Sequence, residues 1–562
     1  MSERSALVAV LALLAAQLVA FAVLDRRPMN DHDPEFAGVA VQDALAIRRA
    51  TTLGQRLDVL GRRLLHHAER HPQLPQAFLA AWTGATGWSR LQLRLSNLPW
   101  LLVLLVGTYL AARELAEPRL ALLATWLVGT LPLVVHMSRK WFPHLHAAAL
   151  APLALWLALR LLAPERRARW APWLALGAIQ GARLHSHPIG VPDTVVLYGL
   201  LFVLLWTRAP DRAWVIRLAA AGVVTGLVGA PALFAGAVHD DGVGLSAYVS
   251  LVGRYLSADW LLAGPRSWLG VLGPLGSAGF WAILPGALLL VLLPGAVGAA
   301  RVLRSSPAAR FVALAVGLQV PAVLLTVGNG GFLSDWMLLA PHVVILATLG
   351  LGALQSRALV VLAVAQGAVT LLLPIALSLH ADALTPATGV RALYAHSEHG
   401  GPWNTHHLLV RRQSPVARIA ALLPPATDRI GVLDLTLGAQ ECAAPAQMAG
   451  AWLWEPAEEG FSASPGDGAF AEAWDRTPRW VVHPEPAETP AVVRIWVASQ
   501  DTGPCALTAA EGVGLLEEAA GVARRRLGGQ AEVLLDPAQL LISAPRPTAE
   551  PQPGYVGALL IR

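Results

Sequence analysis

Apolar residues fall in eleven long runs, separated by short polar stretches in which arginine dominates. The runs cover about 5–24, 97–113, 119–136, 144–163, 170–184, 190–207, 214–236, 280–300, 309–328, 332–352 and 357–378. Runs of this kind are long enough to cross roughly 30 Å of hydrocarbon as helices. Between the first and second runs the pattern changes. V-A-V-Q-D-A-L-A-I-R-R-A and L-G-Q-R-L-D-V-L-G-R-R-L-L repeat apolar residues at three- and four-residue spacing. Arg48, Arg49, Arg56, Arg62 and Arg63 stand on the other side. This predicts amphipathic helices in the membrane interface. L-S-A-Y-V-S-L-V-G-R-Y-L-S-A-D-W, within 237–279, reads the same way. Beyond the last run, R-I-G-V-L-D-L, R-W-V-V-H and A-E-V-L-L predict strands, and 507–527 has a helical pattern. The expected architecture is mainly α: a polytopic helical bundle of about eleven spans over 1–378, with a C-terminal α/β domain over 379–562.

Composition agrees. Of 562 residues, 55% are hydrophobic and 14% charged, and mean hydropathy is +0.52. A soluble chain of this length cannot bury that much apolar surface. The formal charge of +5 does not point to nucleic acid, because the basic residues lie in short loops between the runs. Arg113 and Arg119; Arg160, Arg166, Arg167 and Arg169; Arg208, Arg212 and Arg217; Arg301, Arg304 and Arg310; and Arg357 all fall in alternate loops. The positive-inside bias then sets the N terminus in the cytoplasm. With eleven spans the tail lies outside, at the inner (plasma) membrane of a cell. Cys442 and Cys505 are the two cysteines. Both are in the tail, and a disulfide between them suits an oxidising compartment.

Three outer loops carry candidate chemistry. Immediately after the first run comes D-H-D-P-E-F, with Asp31, Asp33 and Glu35. Asp31 and Asp33 can bind one divalent cation (Mg, Mn or Ca) through oxygen ligands. Alternatively, one of the three acts as general base toward an acceptor hydroxyl, or an aspartate merely caps a helix over Phe36 to Ala50. The next outer loop, V-V-H-M-S-R-K-W-F-P-H-L-H, holds Arg139, Lys140, His144 and His146, and Lys140 is the only lysine in the chain. Basic residues on the outside suit a phosphate at the membrane surface; snorkelling is the other reading. R-L-H-S-H-P adds Arg183, His185 and His187. Two H-x-H pairs at one surface suggest either a metal cluster with His144 and His146 or ordinary interfacial histidines. Asp240 and Asp241 read as a solvated turn. Asn329, Asp335 and His342 lie near the outer ends of the ninth and tenth runs and are candidate pocket residues. No phosphate-binding G-x-x-x-x-G-K-[ST], no G-x-S-x-G and no H-E-x-x-H is present.

This layout resembles the fold-class C (GT-C) integral membrane glycosyltransferases of the protein O-mannosyltransferase, lipid A aminoarabinose transferase and RgtA/B/C/D-like type. The resemblance rests on D-H-D-P-E-F after the first run, the interfacial helices that follow, G-A-T-G-W-S-R-L-Q-L-R-L-S-N-L-P-W, T-Y-L-A-A-R-E-L and G-T-L-P-L-V-V-H-M-S-R. It covers about 30–210, and the remaining runs in general layout. It implies transfer of a sugar from a polyprenyl-phosphate carrier to a lipid, polysaccharide or protein acceptor outside the membrane. Asp31 and Asp33 match the acidic motif, and Arg139 and Lys140 would serve the phosphate. His144 stands near the place where family members carry an acid, and Ser334-Asp335-Trp336 stands where they have an Arg-Tyr pair. A transporter or flippase of lipid-linked glycans would need ionisable groups within the spans and repeated halves. A non-catalytic membrane scaffold would tolerate change in the acidic loop.

Overall fold

The computed structural model describes residues 2–24, 40, 43–44, 46–65, 73–87, 90–138, 143–187, 190–209, 211–238, 287–327 and 337–379, and five strands in the tail. Helices dominate. In chain order they are α1 Glu3–Leu24, α2 Leu53–Leu65, α3 Gln73–Thr86, α4 Arg90–Leu95, α5 Asn97–Arg113, α6 Pro118–Gly129, α7 Pro132–Met137, α8 Pro143–Leu161, α9 Pro164–Arg167, α10 Trp170–Ser186, α11 Gly190–Arg208, α12 Ala213–Val238, α13 Ala287–Ser305, α14 Pro307–Val327, α15 Ala340–Leu354 and α16 Arg357–Leu379. Among the described residues five stretches are long and apolar enough to cross a membrane: Glu3–Ala20, Leu91–Arg113, His144–Leu161, Gly190–Arg208 and Ala213–Ala232.

Local sequence explains the boundaries. Prolines open α6, α7, α8, α9 and α14, where the missing N–H costs nothing and φ is already helical. Arginine occupies the last turn of α5, α8, α11 and α13, next to the carbonyls that end each helix. The third apolar run, expected as one helix, is two. Helix α6 stops at Gly129 and α7 starts at Pro132, because a proline inside a helix loses a hydrogen bond and clashes with the carbonyl four residues back. The tenth run also starts late. A single 3₁₀ turn at Met337 and Leu338 precedes α15.

The bundle is greasy outside as well as inside. Val8 and Leu13 of α1, Val195, Phe202, Val203 and Trp206 of α11, Val223 and Leu227 of α12, and Val361 and Leu372 of α16 are all exposed. That is the face a bilayer covers. Inside, hydroxyls return to their own helices: Thr108 Oγ1 donates to Leu104 O at 2.7 Å, Thr125 Oγ1 to Ala121 O at 2.8 Å and Thr348 Oγ1 to Val344 O at 2.7 Å. Trp173, Trp214 and Phe311 fill one buried cluster, toward the ends of the helices that carry the arginines. Leu14, Leu104, Val128, Leu145 and Leu338 belong to the other.

Two helix crossings depend on the absence of side chains. Helix α13 meets α15 where Gly295 and Gly298 face Ala347 and Gly350; a Cβ on Gly298 would overlap the Gly350 carbonyl. Helix α10 meets α12 where Gly177 and Gly181 face Ala221, Thr225 and Val228, and Thr225 Oγ1 donates to Gly177 O at 3.1 Å. Between membrane helices the driving force is close backbone packing rather than the hydrophobic effect, which makes such contacts decisive.

In the tail, β1 Arg429–Asp434, β2 Ala491–Val497, β3 Ala531–Leu535, β4 Leu540–Leu541 and β5 Pro553–Ile561 form a sheet in the order β1-β2-β5-β3, with β4 also on β5. β1 runs parallel to β2 in the register Ile430↔Val492, and β5 is antiparallel to both β2 and β3. The expected strands R-I-G-V-L-D and A-E-V-L-L are β1 and β3. R-W-V-V-H and the helix expected at 507–527 lie outside the described residues.

Gly350→Val is expected to destabilise the detergent-solubilised protein by about 1–3 kcal/mol, the range for overpacking a tight contact. Gly317→Val is the control, since nothing lies within 4 Å of a Cβ built there. Thermal unfolding of the two variants beside the parent checks the difference.

Candidate functional site

Helix ends sort by chemistry. At one end of the bundle Arg113 Nε of α5 meets Glu3 Oε1 of α1 at 2.8 Å, and Tyr109 OH reaches the same carboxylate. Nearby, Arg160 of α8 lies 3.7 Å from Glu114, which also takes the Trp156 indole N–H at 3.1 Å. These are carboxylate–arginine pairs at a rim. The opposite end is different. It gathers the start of α5, the start of α8, the end of α10 and the starts of α11 and α15, and among the described residues its polar groups include histidines, amides and the ion pairs Arg183–Asp193 and Arg63–Asp43.

At that opposite end Asn97 Nδ2 donates to Ser138 O at 3.0 Å, joining α5 to the turn after α7. His146 is fully buried and packs edge-on against Trp100, 4.7 Å between centroids, with Phe78 of α3 5.1 Å from the same indole. His144, two residues earlier, goes elsewhere: its ring lies 4.1 Å from that of His187, tilted by 38°. His185 in turn lies against the backbone of Leu64 and Val228. Of the two readings of the H-x-H pairs, the four-histidine metal cluster is not assembled. Residues two apart on a helix point about 200° from one another, so each H-x-H pair splits, and only His144 and His187 meet. His187 can do so because it caps α10 in an extended conformation, φ −162° and ψ 135°. Among the described residues no three His, Cys, Asp or Glu side chains form a metal-sized group.

Arg183, expected to face phosphate at the surface, is instead completely buried. Its Nη1 pairs with Asp193 Oδ2 of α11 and donates to Gln180 Oε1 at 2.7 Å, and its Nε donates to Ala147 O of α8 at 3.4 Å. Gln319 Nε2 of α14 donates to the second Asp193 oxygen. Thr194 Oγ1 links Gln180 Oε1 at 3.3 Å with Gly190 O at 2.8 Å. His342 of α15 lies within electrostatic reach of both charges, with Nδ1 3.1 Å from Leu338 O. Three buried polar atoms of the cluster, Arg183 Nη2, Gln180 Nε2 and Gln319 Oε1, have no hydrogen-bond partner among the described residues. The charge of Arg183 is already matched by Asp193, so a phosphate here would bring an uncompensated negative charge into an apolar bundle. Asp193 was missed by the motif reading. The signal was there: a lone carboxylate opening an apolar run of nineteen residues is costly without a partner, and the arginine ten residues earlier is that partner.

The amphipathic segment packs over this end. Arg63 of α2 pairs with Asp43 and donates to Gln73 Oε1 of α3 at 3.2 Å, and Arg48 Nε donates to Gly84 O at 3.2 Å. Leu53, Leu57 and Leu65 of α2 are exposed, as an interfacial helix requires. Asp31, Asp33, Glu35, Arg139, Lys140, Asp240, Asp241, Asn329, Asp335, Cys442 and Cys505 lie outside the described residues. The flanking elements are in place for two of the loops: α1 ends just before the acids, and α7 and α8 bracket Arg139 and Lys140.

No protein-family model matches the chain, and no curated protein sequence matches it. Solved structures do. ArnT from Cupriavidus metallidurans bound to undecaprenyl phosphate is 14% identical, over 98% of this chain and 97% of that one, at a TM-score of 0.46. The same protein in the apo state is 12% identical, over 100% and 98%, at 0.49. The Archaeoglobus fulgidus oligosaccharyltransferase in complex with Zn and sulfate is 16% identical, over 81% of this chain and 62% of that one, at 0.41. These are solved structures the chain is similar to, and no residue of theirs is carried over to it.

Proposed function

We propose that the protein is a GT-C-type membrane glycosyltransferase that moves a sugar from a polyprenyl-phosphate carrier to an acceptor at the outer surface of the membrane. In this reading all eleven apolar helices span, the N terminus is cytoplasmic, and the tail is an outer α/β domain. The observation that carries it is the sorting of helix ends. At one rim Arg113 pairs with Glu3 and Arg160 with Glu114, and no histidine joins them among the described residues. The histidines, the aromatic contact of Trp100 with His146 and the amphipathic helix α2 gather at the other. Helix α1 starts at the first rim with Glu3 and runs to Leu24, so in this reading the acids that follow in the sequence, Asp31, Asp33 and Glu35, would serve the second rim.

The chemistry suits a rim. The carrier keeps its tail in the bilayer while its sugar reaches water. As the glycosidic bond breaks, the phosphate gains negative charge, which Arg139 and Lys140 would neutralise. One of Asp31, Asp33 and Glu35 would accept the proton of the attacking hydroxyl. His144 and His187 would face the sugar, with Asp335 as a further candidate pocket residue. The cation that Asp31 and Asp33 could hold would add further charge neutralisation; the proton and phosphate roles above are assigned to side chains alone. Arg183 serves the site from below, through its neighbours.

A second reading, transport of a lipid-linked glycan, draws on the buried Arg183–Asp193 pair, since intramembrane charges mark ion pathways. Against it, the pair lies in the last turn of α10 and the first turn of α11, near the rim rather than at mid-span.

Asp31→Asn and Asp33→Asn, made separately, test the assignment in membranes supplied with a labelled polyprenyl-phosphate sugar. The variant that loses the general base is expected to transfer about 10²–10⁴ times more slowly. Unchanged transfer in both, with Glu35→Gln also unchanged, removes the catalytic assignment; movement of the lipid across the membrane without transfer selects the second reading. Orientation has its own check. A protease added outside intact spheroplasts should remove an epitope at Arg562 and spare one at the N terminus.

A further inference from the structure

We propose that Asp193 is a positioning residue for the outer rim: by holding Arg183 it fixes the turns that carry His144 and His187. The inference rests on the glycosyltransferase reading for its functional meaning, though its geometric content stands alone. The path is short. Ala147, whose carbonyl receives Arg183 Nε, is three residues after His144 on α8. On the other side, the His187 N–H closes on the Arg183 carbonyl itself at 2.9 Å. Gly190 N–H then donates to His187 O at 3.0 Å, and Gly190 O receives the Thr194 hydroxyl beside Asp193. One guanidinium therefore joins the two turns whose histidine rings touch, and Asp193 determines where that guanidinium points.

Stability alone does not account for the cluster. Replacing a buried ion pair by apolar residues of similar size is often neutral or stabilising. What a charged pair provides, and leucines do not, is direction. The fork of Arg183 reaches α8 and Asp193 at once, while Gln319 of α14 holds the other carboxylate oxygen. Helices α8, α10, α11 and α14 are thereby set in one register at the rim. Among the described residues His342 from α15 lies within electrostatic reach of both charges.

The test uses the full chain in nanodiscs and three variants: Asp193→Asn, Gln319→Leu and the double variant Asp193→Leu with Arg183→Met. Each is measured for thermal midpoint and for sugar transfer, with kcat and KM separated. Each is also rebuilt with His144→Cys and His187→Cys, and the rate of oxidative cross-linking between those positions is followed by peptide mapping. Asp193→Asn is expected to lower the midpoint, because it leaves Arg183 buried without its counter-charge. The double variant is expected to regain the midpoint yet cross-link about tenfold more slowly and transfer with kcat about a hundredfold lower at near-unchanged KM, the cost of a small misplacement. Gln319→Leu keeps the pair and should cross-link at an intermediate rate. Parental cross-linking and transfer in a stable double variant overturn the proposal. Should the double variant fail to fold, parental cross-linking in Gln319→Leu does so instead. A parent chain that transfers no sugar defeats the glycosyltransferase reading, and the cross-linking rates still decide the positioning role.

Discussion

Hydrocarbon offers no hydrogen-bond partner, and that constraint governs this chain. Every backbone group within the apolar runs must be satisfied inside its own helix. Side chains that carry polar atoms must pair, bond back to their own backbone or reach a rim. Thr108, Thr125 and Thr348 bond back. Glu3, Arg113, Glu114 and Arg160 reach a rim. Arg183 and Asp193, both buried, pair with each other and draw Gln180 and Gln319 around them.

The same constraint divides the work between the two rims. Arginines that end α5, α8, α11 and α13 belong to one membrane face, so the remaining ends of those helices form the other. Histidines and aromatic rings that would be solvated in a soluble protein are buried there by helix packing and by the amphipathic segment above. A sugar donor with its tail in lipid meets protein at just such a boundary. Close helix contacts keep it narrow: glycines let α10 approach α12, and α13 approach α15.

Hydrophobic period and arginine placement made the helices readable from the sequence, because both are one-dimensional signals. Helix is found in each of the eleven runs, although among the described residues five stretches meet the length and hydropathy of a span. The break at Pro132 was equally legible and was passed over, since the apolar run continues through it. The site was harder to read. H-x-H looks like a cluster in a linear sequence, but helical rotation sends His144 toward His187 and His146 toward Trp100. Arg183 looked like a surface cation because its neighbours are polar. Its partner Asp193 lies past a turn, and Gln319, which holds that partner, comes 126 residues later. No local pattern encodes contacts of that range.

Helix α2 turns Leu53 and Leu57 outward while Arg63 and the Leu64 backbone hold it against α3 and α10. One flank of the helix is thus fastened to protein and the other is finished by whatever amphiphile surrounds the molecule. Because the Leu64 backbone also touches His185, next but one to His187, the amphiphile around α2 borders the packing beneath the histidine pair. The lipid annulus becomes a structural component of that rim, and the choice of detergent or nanodisc becomes a variable of the protein itself.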